Sequence, residues 1–344
     1  MADNYLEKKM EALQACKAAE QRARQAAWKK RMDAYRRKLA EEKASSSHAV
    51  HFFNVAGHVF QVCLPVSLDS QSVLKSYQPF ACGHSSDPLF TLSLEFVDDL
   101  ANVQVGEVKE CLNDEPPYFW MFSRDGKYDF GFSYSRSHPD CIVAVSDDFS
   151  NAVVHVSSGK PDRYISFAVD NALMLMYAAR SIAYDTLLIH ASVIRHSDAG
   201  YVFLGKSGTG KSTHSRLWIE NIAGTVLLND DNPVVRVHGD DVTVYGTPWS
   251  GKTPCYRNEN VPLKAFVRLS QAPYNRIGRL PILNSYASLL PSCSCMRWDR
   301  ASTDALHSAV EKVVSKVGGW HLECLPDAEA ALLCSSEIQG KERI

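Results

Sequence analysis

Between His48 and about Ser158 apolar and polar residues alternate along the chain. Phe90, Leu92, Leu94 and Phe96 are interleaved with Thr91, Ser93 and Glu95, the period of a strand with one buried face. Tyr118 to Phe122 and Tyr128 to Tyr134 flank Asp125-Gly126, a dipeptide suited to a tight hairpin turn. Val143 and Val145, then Ala152 to Val156, continue the pattern. The region reads as a mostly antiparallel β domain. Among its histidines, His58, His84 and His138 sit in turn-like surroundings and read as surface residues.

The pattern differs on either side. Residues 1 to about 44 contain no Gly or Pro and are rich in Ala, Lys, Arg, Glu and Gln, a composition that favours helix. Apolar positions recur as Leu6, Met10 and Leu13, then as Trp28, Met32, Tyr35 and Leu39, which predicts a long solvated helix with two short apolar stripes. Ser45-Ser46-Ser47 ends it. A docking arm and a helix lying on its own domain both fit that pattern. After the β region, Leu173, Met176, Tyr177 and Arg180 predict a helix over Asp170 to Tyr184. From Leu187 onward short apolar runs alternate with helical stretches, the mark of an α/β domain. Thr303–Val317 reads as a helix, His321–Leu325 as a strand, and Asp327–Cys334 as a last helix capped by Asp327. The expected division is therefore a solvated helix over 1–47, a mostly β domain over 48–168 and an α/β domain over 169–344.

Composition narrows the classes. The 344 residues carry 37 basic and 39 acidic side chains, a formal charge of −2 that predicts no binding to nucleic acid or to an anionic membrane. No apolar run approaches the ~20 residues needed to cross a bilayer, and the N-terminus has no secretory pattern. None of the ten cysteines forms a Cys-x-x-Cys pair. A reduced, cytoplasmic protein is the expectation.

One motif carries chemistry outright. Gly205-Lys206-Ser207-Gly208-Thr209-Gly210-Lys211-Ser212 fits G-x-x-x-x-G-K-[ST] at every fixed position. It follows the apolar run Tyr201–Leu204 and opens a helix from Ser212 and Thr213 to about Ile222. Glycines let the backbone N–H groups turn inward around phosphate oxygens, and the helix start adds free donors. Lys211 would reach the β- and γ-phosphates of ATP, and the Ser212 hydroxyl would ligate Mg2+. Downstream, Asp230 and Asp231 end an apolar run where ligands of open α/β sheets gather. One carboxylate with Ser212 and phosphate oxygens would hold the metal, leaving the other to accept a proton. This reading gives the metal to Asp231 and the proton to Asp230. His190, ending the run Leu187–Ile189, is a structural or a catalytic histidine on equal grounds.

Taken together, Ile189-His190-Ala-Ser-Val, Phe203-Leu-Gly-Lys-Ser-Gly-Thr-Gly-Lys-Ser and Leu227-Leu-Asn-Asp-Asp resemble the HPr serine kinase/phosphorylase family, which shares the fold of phosphoenolpyruvate carboxykinase. The resemblance covers about Leu187 to Leu269. It implies a P-loop kinase-like domain in which His190 and Asp230 together deprotonate an acceptor hydroxyl, and Asp231 and Ser212 hold magnesium. It also allows a homo-oligomer. The acidic signature segment of bacterial HPr kinases is not found beyond the Asp-Asp pair. Gly246-Thr-Pro-Trp249-Ser-Gly-Lys252, then Cys255-Tyr-Arg257, stands there instead and puts HPr itself in doubt as substrate. Trp249, Lys252 and Arg257 are candidates to contact the acceptor or transferred charge, the alternative being an ordinary loop with Trp249 packed on the sheet.

The expectation is an ATP- and magnesium-dependent kinase acting on a hydroxyl of a protein, peptide or small molecule. A nucleotide-driven ATPase switch or scaffold is the alternative. A carboxykinase fits less well, because full carboxykinases are larger.

Overall fold

The computed structural model describes residues 48–111, 116–124, 126–251 and 253–340, so the helix expected over 1–47 and the candidate Lys252 lie outside the described residues. The chain is a mixed α/β protein built on two large sheets. Among the described residues no helix is long and apolar enough to cross a membrane.

The first sheet has eight strands: β1 (His48–Val55), β2 (His58–Pro65), β3 (Thr91–Val97), β4 (Glu107–Cys111), β5 (Tyr118–Arg124), β6 (Lys127–Ser133), β7 (Cys141–Val145) and β8 (Asn151–Ser157). Their order is β1-β2-β3-β8-β7-β6-β5-β4. Strand alternation explains the buried face: on β8, Ala152, Val154 and Val156 point inward while their neighbours are half-buried. The expected hairpin is formed by β5 and β6, with Arg124 opposite Lys127 and Gly126 at a φ of 76°. Pairing from β4 to β8 is antiparallel, whereas β2–β3 and β3–β8 are parallel. Helix α1 (Asp162–Ser181) covers this sheet with Ile165, Ala168, Val169, Ala172, Leu173 and Met176, a stripe at i, i+3, i+4, i+7 spacing. The pattern at 173–180 shows only the second half of that helix. It starts eight residues before the expected Asp170, where Pro161 supplies an extended entry and the same stripe begins.

His58 corrects one expectation. It is buried, with Nε2 at 2.9 Å from Thr186 Oγ1 and its ring between Tyr177 and Tyr184. Burial, with Arg236 and His238 nearby, depresses its pKa to about 3. His84 and His138 are exposed as expected.

The second sheet has nine strands: β9 (Thr186–Leu188), β10 (Ser192–His196), β11 (Ala199–Leu204), β12 (Thr225–Asn229), β13 (Val234–His238), β14 (Asp241–Tyr245), β15 (Asn260–Gln271), β16 (Arg276–Arg279) and β17 (Gly318–Cys324). The long β15 serves two neighbourhoods. Its first residues pair with β14, and the rest lies parallel between β11 and β17. On the other side of β11 come β10 and then β12, and β10 is antiparallel to both β11 and β12. Helices α2 (Lys211–Asn221) and α5 (Ala328–Gln339) bury Leu217, Trp218, Ala331 and Cys334 against Phe203 and Val267. Helix α4 (Arg300–Lys316) buries Leu306, Val310 and Val313 on the opposite face, with α3 (Ile282–Leu289) beside it. Asp327 caps α5, accepting from Ala330 N–H at 2.9 Å.

Candidate active site

Strand direction brings the polar residues together. Because β10 runs antiparallel to β11 and β12, its first residues lie beside the last residues of both, with Ser192 opposite Phe203 and Val193 opposite Asn229. His190 precedes β10, Gly205 follows β11, and Asp230-Asp231 follows β12. Three segments distant in sequence therefore meet at one edge of the sheet.

The glycine loop leaves β11 and turns directly into α2. Gly208 and Gly210 have φ of 77° and 106°, a region that a side chain resists. Gly210 is the N-cap of α2, and no side chain caps it. The first helical bond runs from His214 N–H to Gly210 O at 2.8 Å, so the N–H groups of Lys211, Ser212 and Thr213 precede the helical ladder. The helix dipole adds partial positive charge at this point. Lys206, Ser207 and Ser212 are exposed, while Thr209 closes the turn through Oγ1 to Lys206 O at 2.7 Å.

Lys211 points back across the loop. Its ammonium donates to Gly205 O at 2.9 Å and to His190 Nε2 at 3.0 Å. Burial lowers its pKa, with the charges of Asp231 and Asp230 working the other way. An ammonium only donates, so His190 Nε2 is the acceptor and the ring proton sits on Nδ1. Nδ1 lies 3.1 Å from Asp231 Oδ1. The result is a chain Lys211–His190–Asp231. His190 contacts Asp231, whereas Asp230 turns elsewhere. Ser192 Oγ donates to Asp230 Oδ1 at 2.7 Å and lies 2.6 Å from Ser215 Oγ on α2. Asp230 is buried. The side chains of His190 and Asp231 are 46% and 34% exposed.

Asn229 organises the strand end. Fully buried, it accepts from Asp231 N–H at 2.9 Å and donates to Thr247 Oγ1 at 3.0 Å and Trp249 O at 3.2 Å. This clamps the segment after β14 against the acidic pair. Gly251 passes so close that a Cβ there would stand 3.1 Å from Asp230 O and 3.2 Å from Asp231 Cβ. Trp249 is buried, and its Nε1 donates to Tyr77 OH at 2.7 Å, which donates in turn to Asp170 Oδ1 at 2.6 Å. Burial, reinforced by the Asp231 charge, raises the Asp170 carboxyl to about 6. Trp249 thus anchors its loop, and Arg257 turns to Glu259 at 3.5 Å.

Ser192, Ser215, Asn229 and Asp170 were given no functional role from sequence. One signal was present: Ser192 stands two residues after His190, the spacing that returns to the same face of an extended chain. Among the described residues no three His, Cys, Asp or Glu side chains cluster to hold a metal by themselves. The two carboxylates and Ser212 are oxygen donors, a set that suits a hard ion sharing its ligands with phosphates and water.

No family model matches the chain, and no curated protein matches it. Among solved structures, the Hpr(Ser) kinase/phosphatase from Coxiella burnetii is similar at 11% identity, over 44% of this chain and 93% of that one, with a TM-score of 0.23. Such a likeness amounts to a distant relation of fold at most.

Proposed function

We propose that this chain is a magnesium-dependent phosphotransferase that moves the terminal phosphoryl group of ATP to a hydroxyl. The acceptor is a serine of a protein or peptide, or a small molecule. The observation that carries the reading is the Lys211–His190–Asp231 chain at the lip of an uncapped glycine loop. Backbone donors and Lys211 offer positive potential to a polyphosphate, and a base oriented by a carboxylate stands within one side-chain length of it.

On ATP binding, the Lys211 ammonium turns from His190 to the phosphates, which frees His190 Nε2. The acceptor oxygen then bonds to the terminal phosphorus as the bond to the bridging oxygen of the β-phosphate breaks. Its proton passes to His190 Nε2, ADP leaves, and Asp231 stabilises the imidazolium. Asp230 and Ser212 are the residues that would hold magnesium, which supplies charge neutralisation at the phosphates. This divides the acidic pair in the opposite sense to the sequence reading. Two contacts support the division. Asp231 is the carboxylate on His190, and Asp230 is bonded through Ser192 to Ser215, one turn along α2 from Ser212.

The test is transfer itself. Purified protein is incubated with magnesium, γ-labelled ATP and a cell extract or metabolite pool. Label on a protein or metabolite, lost with His190→Ala, is the expected result. Label found only as free phosphate would replace transfer by a hydrolytic switch.

A further inference from the structure

The second sheet sends one large side chain into the core of the first. Trp249, in the segment after β14, is buried in one apolar cluster with Phe53, Phe60, Tyr77 and Tyr177. Its ring centroid lies 5.0 Å from that of Tyr177 and 6.2 Å from that of Tyr77. Tyr77 belongs to a short 3-10 turn, Lys75–Phe80, between β2 and β3. A buried indole N–H needs a partner. Tyr77 OH accepts it, while the Tyr77 proton goes to Asp170 on α1. Packing alone would be met by any large apolar side chain here. A satisfied polar trio fixes the position of Trp249 more closely, because each of its groups is costly to leave unpaired.

What the fixed Trp249 controls is the acidic pair. Its carbonyl accepts from Asn232 N–H and from Asn229 Nδ2, both at 3.2 Å. Its own N–H donates to Thr247 Oγ1 at 3.2 Å, and that hydroxyl donates to Asn232 O at 2.7 Å. Asn229 and Asn232 flank Asp230 and Asp231, so the turn grips the pair from both ends. Two residues beyond Trp249, a Cβ on Gly251 would stand 3.2 Å from Asp231 Cβ and 3.3 Å from its Cγ. The backbone there closes one side of the Asp231 side chain.

We propose that Tyr77, Asp170 and Trp249 are positioning residues through which the first sheet holds Asp231 against His190. The proposal rests on the phosphotransferase reading and gives the β region a part in it, as the fixed end of the clamp. The trio acts through the turn over residues 247–251 and not on a ligand.

The experiment reads the His190–Asp231 contact directly. Histidine-labelled full-length protein gives the NMR shift of His190 Nδ1, assigned by its loss in His190→Ala. Asp231→Asn sets the size of the change when the carboxylate is lost. Trp249→Phe keeps a ring in the core and removes the indole N–H. In the folded variant the Nδ1 shift should move toward the Asp231→Asn value. Labelled transfer from Mg–ATP should fall about tenfold or more in kcat, because a displacement of about 1 Å at a reacting group costs up to ~10²-fold. Calorimetric affinity for Mg–ATP should stay within about twofold of wild type. Tyr77→Phe removes the other end of the same bond, so the double variant should lose no more than the worse single one. Gly251→Ala leaves the core intact, presses on Asp231 and should move the same shift.

An unmoved Nδ1 shift in folded Trp249→Phe makes Trp249 an anchor of its loop alone and overturns the proposal. Losses at Tyr77 and Trp249 that multiply in the double variant do the same. If neither Phe variant folds, Gly251→Ala decides, and an unchanged shift there is the overturning result. A wild type that transfers no label defeats the phosphotransferase reading, and the Nδ1 shift alone then decides whether the clamp exists.

Discussion

The two flanks of the glycine loop are built from the same sheet and differ in almost every property that matters to a ligand. Toward β10 and β12 stand Lys211, His190, Asp231 and Asp230, each already hydrogen-bonded to a neighbour. Toward β15 and β17 stand Leu217, Leu269, Ala272 and Cys324 around open volume. The difference follows from strand direction. Strand β10 is antiparallel to its neighbours and presents its beginning where β11 and β12 end, so three chain segments deliver polar groups to one place. Strands β15 and β17 lie parallel to each other and β15 parallel to β11, and where they extend past it Leu269, Ala272 and Cys324 supply walls instead of reacting groups. The backbone donors between the flanks would recognise phosphate without regard to direction. The asymmetry of the flanks is what would orient it.

The largest expected effect comes from removing the element that both flanks share. Lys211→Ala takes away the cation on the loop and the donor to His190. Turnover should fall by about a thousandfold or more, the scale of a lost transition-state charge partner, and calorimetry should show weakened binding of both ATP and tripolyphosphate. Transfer at the wild-type rate in this variant would remove the loop from the mechanism and with it the meaning of either flank.

A smaller and more selective effect separates the two aspartates. Asp231→Asn leaves His190 without its charged partner and should cost about 10²–10⁴ in kcat, the range of general-base contributions, with ATP affinity little changed. Asp230→Asn should instead raise the magnesium concentration needed for half-maximal rate. The readout is a magnesium titration of kcat for both variants. The reversed pattern would restore the roles given to the pair from sequence, with Asp230 as base.

How much of this was legible beforehand depends on sequence distance. Gly205 to Ser212, flanked by a strand and a helix, is a local motif, and local geometry is what a pattern encodes. Asp230 and Asp231 were visible because they close an apolar run. Their partners were not. Ser192 reaches Asp230 across 38 residues and Tyr77 reaches Trp249 across 172, and neither spacing has a periodic signature. The order of strands is equally hidden, since apolar runs at β10, β11, β12 and β15 look alike whichever neighbours they choose. His58 was misplaced for the same reason. A turn-like neighbourhood gave no warning that α1 and β9 would close over it. The open volume on the apolar flank has the least signature of all, because it is defined by the ends of β15 and β17 and not by any residue type.

The smallest expected effect concerns stability and asks whether the polar flank alone carries the response to pH. Asp170 accepts from Tyr77 and feels Asp231, and its carboxyl is raised to about 6 from an ordinary value of 3.8. The folded state therefore holds this proton where the unfolded chain has released it. The stabilisation is complete below pH ~4 and is lost as pH rises through about 6. Asp170→Asn removes the titration while its amide oxygen still accepts from Tyr77. The variant should be more stable than wild type above pH ~6.5 by about 1–2 kcal/mol, the full shift discounted for the solvent the side chain retains. The gap should close as pH approaches 4. His58 and His214, held at about 3 and about 4, act in the opposite sense. They destabilise the fold as pH falls below 6.5, because the unfolded chain takes up protons that the buried rings refuse. Both proteins share those histidines, so the difference between their urea midpoints at each pH isolates Asp170. A gap that stays constant from pH 4.5 to 7.5 would mean that Asp170 titrates alike in folded and unfolded chains, and that the polar flank ends at Asp231.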